Sequence, residues 1–200
     1  MVPELYLIAP PDAEAEAFAA LLPRVLAAAG ISALLLPRGS RGENAYRAFV
    51  KSIAPVAQAA GCAVLIEGEP GLVRTLGADG LHVTGPTAGV KAALNALKPD
   101  FIVGAGADGT RDDAMGKGEL GPDYIMFGPI SGAIAPATRE LAGWWAETME
   151  IPGVLSDPEA VATTADAAGC EFLALSASLW GAPDPAAAIA AIATRLEQRA

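Results

Sequence analysis

The sequence predicts an α/β fold, a (β/α)8 TIM barrel that forms a single compact domain over residues 1–200. Eight short apolar runs alternate with eight helical segments, a pattern that favours a parallel sheet with right-handed crossovers. The connections are short, and 200 residues lie near the lower size limit of such a barrel. A doubly wound open sheet is the alternative, but it needs a glycine-rich turn after the first strand. Pro10-Pro11-Asp12 follows that strand instead.

The predicted strands are short apolar runs bounded by Gly, Pro or Asp, as is typical of buried parallel strands. In chain order they cover Leu5–Pro10, Ile31–Leu36, Cys62–Ile66, Asp79–Gly85, Phe101–Gly104, Asp123–Ile130, Ile151–Leu155 and Phe172–Leu179. The sixth strand opens into a loop of small residues, 131–137. In the fourth strand His82 alternates with Leu81 and Val83, so its side chain should face the opposite side of the sheet.

The predicted helices follow from apolar residues at helical spacing and from helix-end signals. In chain order they cover Glu14–Ala29, Asn44–Ala60, Pro70–Leu76, Ala88–Leu97, Thr110–Leu120, Thr138–Met149, Glu159–Ala168 and a last helix that begins at Asp184. Glycines end the first three helices. Asp157-Pro158 and Asp184-Pro185 each combine an N-cap residue with a proline at the first helical position, which predicts the starts of the last two.

Composition argues against several classes of function. Hydrophobic residues make up 52% of the chain and charged residues 18%, as in a globule whose sheet is covered on both faces. No apolar run is long enough for a transmembrane helix, and Met1-Val2-Pro3-Glu4 lacks the basic region of a signal peptide. We therefore expect a cytoplasmic protein. A net charge of −10 without clustered Lys or Arg argues against nucleic acid or an anionic membrane as partner.

The cysteines predict no metal centre. Cys62 and Cys170 each begin an apolar run, which predicts buried free thiols. Together with the single histidine they lack the spacing of zinc ligands. The sequence also contains no recognisable nucleophile–His–carboxylate arrangement, so it assigns no catalytic residue.

In a barrel, chemistry lies in the loops at the carboxyl ends of the strands. Arg38, in the basic segment after strand two, can bind a phosphate bidentately, or it is a solvated loop arginine. Glu67 follows strand three with Glu69, and the pair can bind a cation or form an exposed acidic loop. His82 is either a structural strand residue or a contact to substrate.

The later strand ends predict an anion site. Gly128 begins the loop after strand six, and Thr138-Arg139 opens the next helix, where backbone N–H groups and the helix dipole favour an anion. Ser156 ends strand seven and Ser176 lies in strand eight. The loops after these two strands commonly form the phosphate site of a barrel.

Four segments resemble the thiamine phosphate synthase/TenI family: Leu5-Tyr6-Leu7-Ile8, the stretch Gly77-Ala78-Asp79-Gly80-Leu81-His82, the stretch 123–130 (DYIMFGPI) and the serine-bearing strand eight. The resemblance covers essentially the whole chain. It implies a small barrel of thiamin biosynthesis that joins hydroxymethylpyrimidine diphosphate to a thiazole phosphate and releases pyrophosphate with Mg²⁺. TenI-type members instead act as a tautomerase on the thiazole ring. The implied partner is a small phosphorylated heterocycle, and family members are often homo-oligomers.

Several positions that the resemblance assigns to the site carry other residues here. Of the family's Gln-x-Arg-x-Lys set after strand two, this chain keeps only Arg38. Glu67 and Gly68 occupy the positions of the family's Asn-Asp pair, and Thr87 occupies the position of its second metal-binding Asp. At the remaining strand ends, this chain has Gly106-Ala107-Asp108 where the family has Ser-x-His, and Thr138-Arg139 where the family has Thr-x-Thr-Lys. Ser156-Asp157 replaces a pair of glycines, and only Ser176 keeps the family's residue.

These differences leave three hypotheses. The first is a synthase, with Arg38 and Glu67 near the diphosphate or the metal, Thr138-Arg139 near the thiazole phosphate, and Ser176 on a phosphate. The second is a non-catalytic protein that binds a phosphorylated heterocycle or regulates a partner. The third is an enzyme with a different small-molecule reaction. If the proposed residues form one site, Arg38, Arg139 and Ser176 should surround one cavity.

Overall fold

The strands pair in chain order, and the last strand returns to the first. The structure is a computed structural model that describes residues 2–199. Its strands are β1 (Glu4–Ile8), β2 (Ile31–Leu36), β3 (Ala63–Ile66), β4 (Gly80–Val83), β5 (Ile102–Gly106), β6 (Tyr124–Phe127), β7 (Gly153–Ser156) and β8 (Phe172–Leu175). All neighbouring pairs are parallel, and β8 pairs with β1. The predicted closed barrel is confirmed, and an open sheet is excluded.

Helices connect the strands and cover the barrel. They are α1 (Ala15–Ala28), α2 (Glu43–Ala59), α3 (Gly71–Leu76), α4 (Thr87–Leu97), α5 (Arg111–Gly118), α6 (Pro136–Thr148), α7 (Ala177–Trp180) and α8 (Pro185–Glu197). Asp184 caps α8 as predicted, because its carboxylate accepts hydrogen bonds from the N–H groups of Ala186 and Ala187. Within residues 2–199 we find no helix that combines the length and the apolar character needed to cross a membrane.

Alternate residues of each strand belong to two separate apolar layers. In β1, Leu5 and Leu7 pack against the helices, whereas Tyr6 and Ile8 belong to the cluster inside the barrel. The alternation predicted for β4 is confirmed, since Leu81 belongs to the outer layer. Both cysteines are buried free thiols, as predicted. The alternation of residues along each strand therefore determines which side chains point into the barrel.

The helix predicted over Glu159–Ala168 is wrong, because turns connect β7 to β8. Short polar side chains bond nearby backbone groups there and compete with helical hydrogen bonds. The Thr164 hydroxyl accepts a hydrogen bond from the N–H of Val161 at 3.1 Å, and Asp166 accepts one from the N–H of Ala168 at 2.8 Å. Ala168 also has a φ of 51°, outside the helical region.

The predicted end of strand eight is also wrong. The strand stops at Leu175 and the chain turns into α7, so Ser176 follows the strand and Ser178 lies in α7. The Ser178 hydroxyl donates to the carbonyl oxygen of Ala160 at 2.5 Å. The indole N–H of Trp180 donates to the carbonyl oxygen of Ile8 at 2.8 Å. These bonds turn the chain across the end of the barrel and attach it to β1 and to the loop after β7.

Three carboxylates join neighbouring strands at the amino end of the barrel. Each precedes an even-numbered strand and accepts a hydrogen bond from a backbone N–H at or near the start of the strand before it. The pairs are Asp79 with Val64 (2.7 Å), Asp123 with Val103 (2.7 Å) and Glu171 with Gly153 (2.7 Å). Asp79 and Asp123 belong to the two most specific segments of the resemblance. Asp79 and Asp123 therefore stabilise the amino end of the barrel, whereas the same two segments continue toward its carboxyl end.

Candidate functional site

A chain of three buried polar groups runs through the barrel interior. Nδ1 of His82 lies 2.9 Å from the hydroxyl oxygen of Tyr124, which lies 3.0 Å from the hydroxyl oxygen of Tyr6. The rings of His82 and Tyr124 stack with centroids 5.8 Å apart and an interplanar angle of 9°. Only 3% of His82 is exposed. The sequence predicted the face of the strand that carries His82, but it missed both tyrosine partners.

Glycines in β5 make room for these rings. A Cβ atom on Gly104 would lie 1.9 Å from Cζ of Tyr124, so this position must lack a side chain. A Cβ atom on Gly106 would lie 3.4 Å from Nε2 of His82 and 3.8 Å from Cγ2 of Thr84. The first glycine accommodates Tyr124, whereas the second leaves a space beside Nε2 of His82.

His82 is neutral at pH 7. Burial lowers the pKa of its imidazole to about 4, and the positive charge of Lys117 lowers it further in the same direction. A neutral imidazole has one donor nitrogen and one acceptor nitrogen. His82 can therefore orient a ligand through a hydrogen bond without contributing a positive charge.

Lys117 of α5 is a buried cation that the sequence did not predict as part of the site. Its Nζ donates to the carbonyl oxygen of Gly106 and to the carboxylate of Asp113, both at 2.7 Å. Only 1% of the residue is exposed. Lys117 lines a cavity of about 500 Å³ between the ends of β4 and β5, together with Thr84, Thr87, Gly106, Asp108 and Asp113. The only sequence signal was the i, i+4 spacing of Asp113 and Lys117.

The ends of β2 and β3 hold Glu67 in place. Its carboxylate accepts a hydrogen bond from the backbone N–H of Arg38 at 2.8 Å. Its own N–H donates to the hydroxyl of Tyr46 at 2.9 Å, and that hydroxyl donates to the carbonyl oxygen of Leu36 at 2.6 Å. Burial raises the pKa of Glu67, although the N–H of Arg38 opposes this shift. The structure thus brings Arg38 and Glu67 together through the backbone of Arg38.

The guanidinium of Arg38 is exposed, and its Nε donates to the carbonyl oxygen of Arg41 at 3.2 Å. Arg38 lines a cavity of about 380 Å³ beside α2 and α3, with Tyr46 and Glu69. Arg139 has different neighbours, because it pairs with the buried carboxylate of Asp157. Arg139 does not line the cavity that Arg38 lines.

The loops after β6 and β7 are locked together. Gly128 has a φ of 103°, and a Cβ atom there would lie 2.4 Å from the carbonyl oxygen of Ser156. The fully buried Ser156 hydroxyl donates to the carbonyl oxygen of Pro129 at 2.6 Å. Gly128 therefore allows the close approach of the two loops, and the Ser156 hydroxyl already has a partner.

The start of α6 faces the loop after β7. Arg139 donates from Nη2 to Asp157 and from Nη1 to the carbonyl oxygen of Asp166, the latter at 3.3 Å. Thr138 is half-buried, and its N–H donates to the carbonyl oxygen of Ala135 at 3.0 Å. Ser176 is buried at the start of α7, with a φ of −148° and a ψ of −105°. Binding roles for these residues remain predictions.

The residues present fit Mg²⁺ poorly. Gly68 and Thr87 lack the carboxylates that the resemblance implies. Of the remaining carboxylates, Asp113 pairs with Lys117 and Asp157 pairs with Arg139. Glu67 accepts the N–H of Arg38, and the exposed Glu69 and Asp108 line two different cavities. Across residues 2–199 we find no group of three or more His, Cys, Asp or Glu side chains able to share a metal ion. Mg²⁺ prefers carboxylate oxygens at octahedral geometry.

The amino-acid sequence is similar to those of known proteins of one family. A family model described as thiamine monophosphate synthase matches residues 5–178. A thiamine-phosphate synthase from Hyphomonas neptunium is 37% identical, covering 98% of this chain and 95% of that protein. A thiamine-phosphate synthase from Rhodospirillum centenum is 34% identical, covering 93% of this chain and 94% of that protein.

Solved structures agree on the fold. A thiamine phosphate pyrophosphorylase from Pyrococcus furiosus superposes with a TM-score of 0.79 at 18% identity, over 98% of this chain and 96% of that chain. A 3-hexulose-6-phosphate synthase from Salmonella typhimurium gives a TM-score of 0.73 at 14% identity, over 98% of this chain and 99% of that chain. At these identities the similarity shows the barrel alone. The family match and the close relatives confirm the resemblance, and the chain belongs to the thiamine monophosphate synthase family.

Proposed function

We propose that this protein binds a phosphorylated heterocycle at the carboxyl end of the barrel and does not catalyse the Mg²⁺-dependent joining of the pyrimidine and thiazole substrates. Membership of the family supports the ligand class. The polar cavity beside β4 and β5 supports its location, because Lys117 and Gly106 line it at the carboxyl end of the strands.

One observation carries the second half of the proposal: Gly68 and Thr87 stand where the resemblance places the two Mg²⁺-binding carboxylates. When a pyrophosphate leaves, negative charge develops on its oxygens, and stabilising that charge is often the largest catalytic contribution. A bound Mg²⁺ supplies this stabilisation. Gly68 and Thr87 offer no carboxylate to hold the ion, and the guanidinium of Arg139 is occupied by Asp157.

Synthase activity is the second candidate function. The relative from Hyphomonas neptunium, which is named a thiamine-phosphate synthase, is 37% identical over 98% of this chain. Similarity of this extent favours a shared reaction. In that case Arg38 and Glu67, which the structure brings together, would lie at the diphosphate.

The decisive experiment supplies purified protein with hydroxymethylpyrimidine diphosphate, thiazole phosphate and Mg²⁺, and measures thiamin phosphate by chromatography. Calorimetry measures binding of thiazole phosphate separately. We expect binding without product. Product formation at rates proportional to protein concentration would overturn the proposal in favour of the synthase, and absence of binding would overturn the ligand class.

A pair of variants at one position tests the role of the missing carboxylate. Thr87 begins α4, where an acidic side chain is compatible with the helix dipole. We expect Thr87→Asp to bind Mg²⁺ at least ten times more tightly than the parent protein, whereas Thr87→Ser should not. Equal Mg²⁺ affinity in both variants would show that the lost carboxylate does not explain poor metal binding.

A further inference from the structure

A second kind of cavity, which we call the amino-end cavity, opens at the end of the barrel opposite to the loops of the candidate site. Its volume is about 250 Å³. Residues at the starts of strands line it: Ala63 begins β3, Ile102 begins β5 and Phe172 begins β8. The buried side chains of Tyr6 and Tyr124, from the apolar cluster inside the barrel, also line it. The cavity therefore reaches the barrel interior from the side that the proposed function does not use.

Two alanines account for the empty space. Ala33 of β2 and Ala63 of β3 are paired in register, and both line the amino-end cavity. Bulky branched side chains dominate the interior layers of barrels with this fold, so two adjacent methyl groups leave part of the interior unfilled. Leu65 and Val154 supply further apolar wall. An apolar cavity of about 150 Å³ already accommodates benzene. The amino-end cavity is therefore large enough for one ring with a short substituent.

Aromatic side chains in the wall favour an aromatic ligand. Tyr6, Tyr124 and Phe172 line the cavity, and the rings of Tyr6 and Tyr124 meet edge to face with centroids 5.9 Å apart. Aromatic rings pair favourably in such arrangements, and their faces also attract cations. The hydroxyl oxygens of the two tyrosines lie 3.0 Å apart, and that of Tyr124 also contacts His82. Both hydroxyls thus have partners inside the barrel, and the rings remain as contact surface for a ligand.

The charged groups of the amino-end cavity are carboxylates. Asp123 lines the cavity, but its charge is compensated by an ion pair with Lys98 and a hydrogen bond from the N–H of Val103. The exposed carboxylate of Glu4 accepts a hydrogen bond from the hydroxyl of Ser32, and both residues line the cavity. Among the ion pairs of residues 2–199, none includes Glu4. A positive group at the mouth is therefore complementary to Glu4, whereas an anion is repelled.

We propose that the amino-end cavity binds a small aromatic molecule that carries a protonated amine. The ring contacts Tyr6, Tyr124 and Phe172, and the ammonium group lies at the mouth beside Glu4. This site goes beyond the proposed function, because it lies at the other end of the barrel and selects the opposite ligand charge. The carboxylates that attract an amine repel a phosphate, so the phosphorylated ligand does not compete for it.

Three single-ring probes of similar size test the ligand class: benzylamine, toluene and benzoate. Two-dimensional ¹H–¹⁵N NMR titrations at neutral pH measure each affinity. We expect benzylamine to bind about five times more tightly than benzoate, with toluene between them, because exposed charges interact only modestly. Nuclear Overhauser effects from the ring protons of benzylamine to the methyl groups of Leu65 and Val154 should locate the ligand. Absence of saturable benzylamine binding, equal affinities for benzylamine and benzoate, or absence of these Overhauser effects would overturn the proposal.

Substitutions in the wall and at the mouth test the two parts of the site. Ala63→Leu fills the cavity from β3 and should weaken benzylamine binding about tenfold or more, because the added side chain occupies the space of the ring. Ala92→Leu, the same change at an exposed position of α4, is the matched control and should bind benzylamine like the parent protein. Glu4→Gln should weaken benzylamine binding about threefold and leave toluene binding unchanged.

Urea unfolding verifies that each variant is folded. Equal benzylamine affinities in Ala63→Leu and Ala92→Leu would overturn the location of the site. Unchanged benzylamine affinity in Glu4→Gln would overturn the placement of the ammonium group. If Ala63→Leu does not fold, the Overhauser effects and the Glu4→Gln variant still decide the proposal, since neither depends on filling the cavity.

Discussion

Lys117 donates a hydrogen bond from Nζ to the carbonyl oxygen of Gly106 at 2.7 Å, which attaches α5 to the last residue of β5. The same nitrogen pairs with Asp113, whose side chain is 15% exposed, while that of Lys117 is 2% exposed. A buried ion pair depends on both partners, because removing one leaves the other charge without compensation. This pair therefore makes the wall of the candidate site sensitive to single substitutions.

Lys117→Met should destabilise the protein by about 3 kcal/mol, because Asp113 and the Gly106 carbonyl lose their donor. The loss of unfolding free energy in the double variant Lys117→Met/Asp113→Asn should be smaller, by more than about 1 kcal/mol, than the sum of the losses in the single variants Lys117→Met and Asp113→Asn. Urea unfolding measures both. Lys91→Met, at an exposed position of α4, is the control and should change stability by about 0.5 kcal/mol or less. Additive single costs would contradict a coupled pair.

Stability should fall as the pH decreases from about 6.5 to about 4. Burial lowers the folded-state pKa of His82 to about 4, below the unfolded value of about 6.5. Between these pH values the unfolded state binds a proton that the folded state does not, so acid favours unfolding by up to about 3 kcal/mol. Urea unfolding at several pH values measures this loss.

The control for this pH dependence is His82→Gln, which removes the titrating group and keeps a polar side chain. Between about pH 6.5 and about pH 4 the free energy of unfolding of this variant should fall by about 3 kcal/mol less than that of the parent protein. Identical pH profiles for the two proteins would show that His82 does not titrate with a lowered pKa.

Gly104→Ala should destabilise the barrel by about 3 kcal/mol or more, because its Cβ atom would overlap the ring of Tyr124. The variant should also displace Tyr124 from His82, which near-ultraviolet circular dichroism can detect. Gly116→Ala has open space around its Cβ atom and lies inside α5, where alanine is favoured over glycine by about 0.5–1 kcal/mol. A neutral Gly104→Ala would refute the packing of β5 against Tyr124.

Asp79→Ala should cost about 1.5–3 kcal/mol without changing ligand affinity. Its carboxylate accepts hydrogen bonds from the N–H of Val64 at 2.7 Å and from Nε2 of Gln58 at 3.0 Å, and bonds to charged groups contribute about this much. Urea unfolding and calorimetry with thiazole phosphate measure the two quantities. Asp100→Ala, which removes an exposed pair with Arg74, should cost about 1 kcal/mol or less. A weaker ligand affinity in Asp79→Ala would link the two ends of the barrel.

The sequence predicted the barrel because the alternation of strands and helices can be identified from short segments of the chain. It failed after β7, where the hydrogen bonds of Thr164 and Asp166 to neighbouring backbone groups replace a helix. The Asp157-Pro158 start signal was therefore insufficient to predict the secondary structure there.

The candidate site was harder to predict because its contacts cross the barrel. Strand parity indicates that Tyr6, His82 and Tyr124 face inward, but 118 residues separate Tyr6 from Tyr124, and only closure of the sheet brings them together. Lys117 was missed for a different reason. In α5 the buried residues are Ala114 and Lys117, so no apolar periodicity marks the face that contacts β5, and a charged residue is normally expected at the surface.

The carboxylates of Asp79, Asp123 and Glu171 make retention of the fold separable from evolution of the reaction. They bond backbone groups at the amino end of the barrel, whereas Arg38, Glu67 and Nζ of Lys117 lie at the carboxyl end. Substitutions in the carboxyl-end loops can therefore accumulate while these strand connections persist. Variants of these three residues therefore probe the strand connections, and variants of the carboxyl-end loops probe ligand binding.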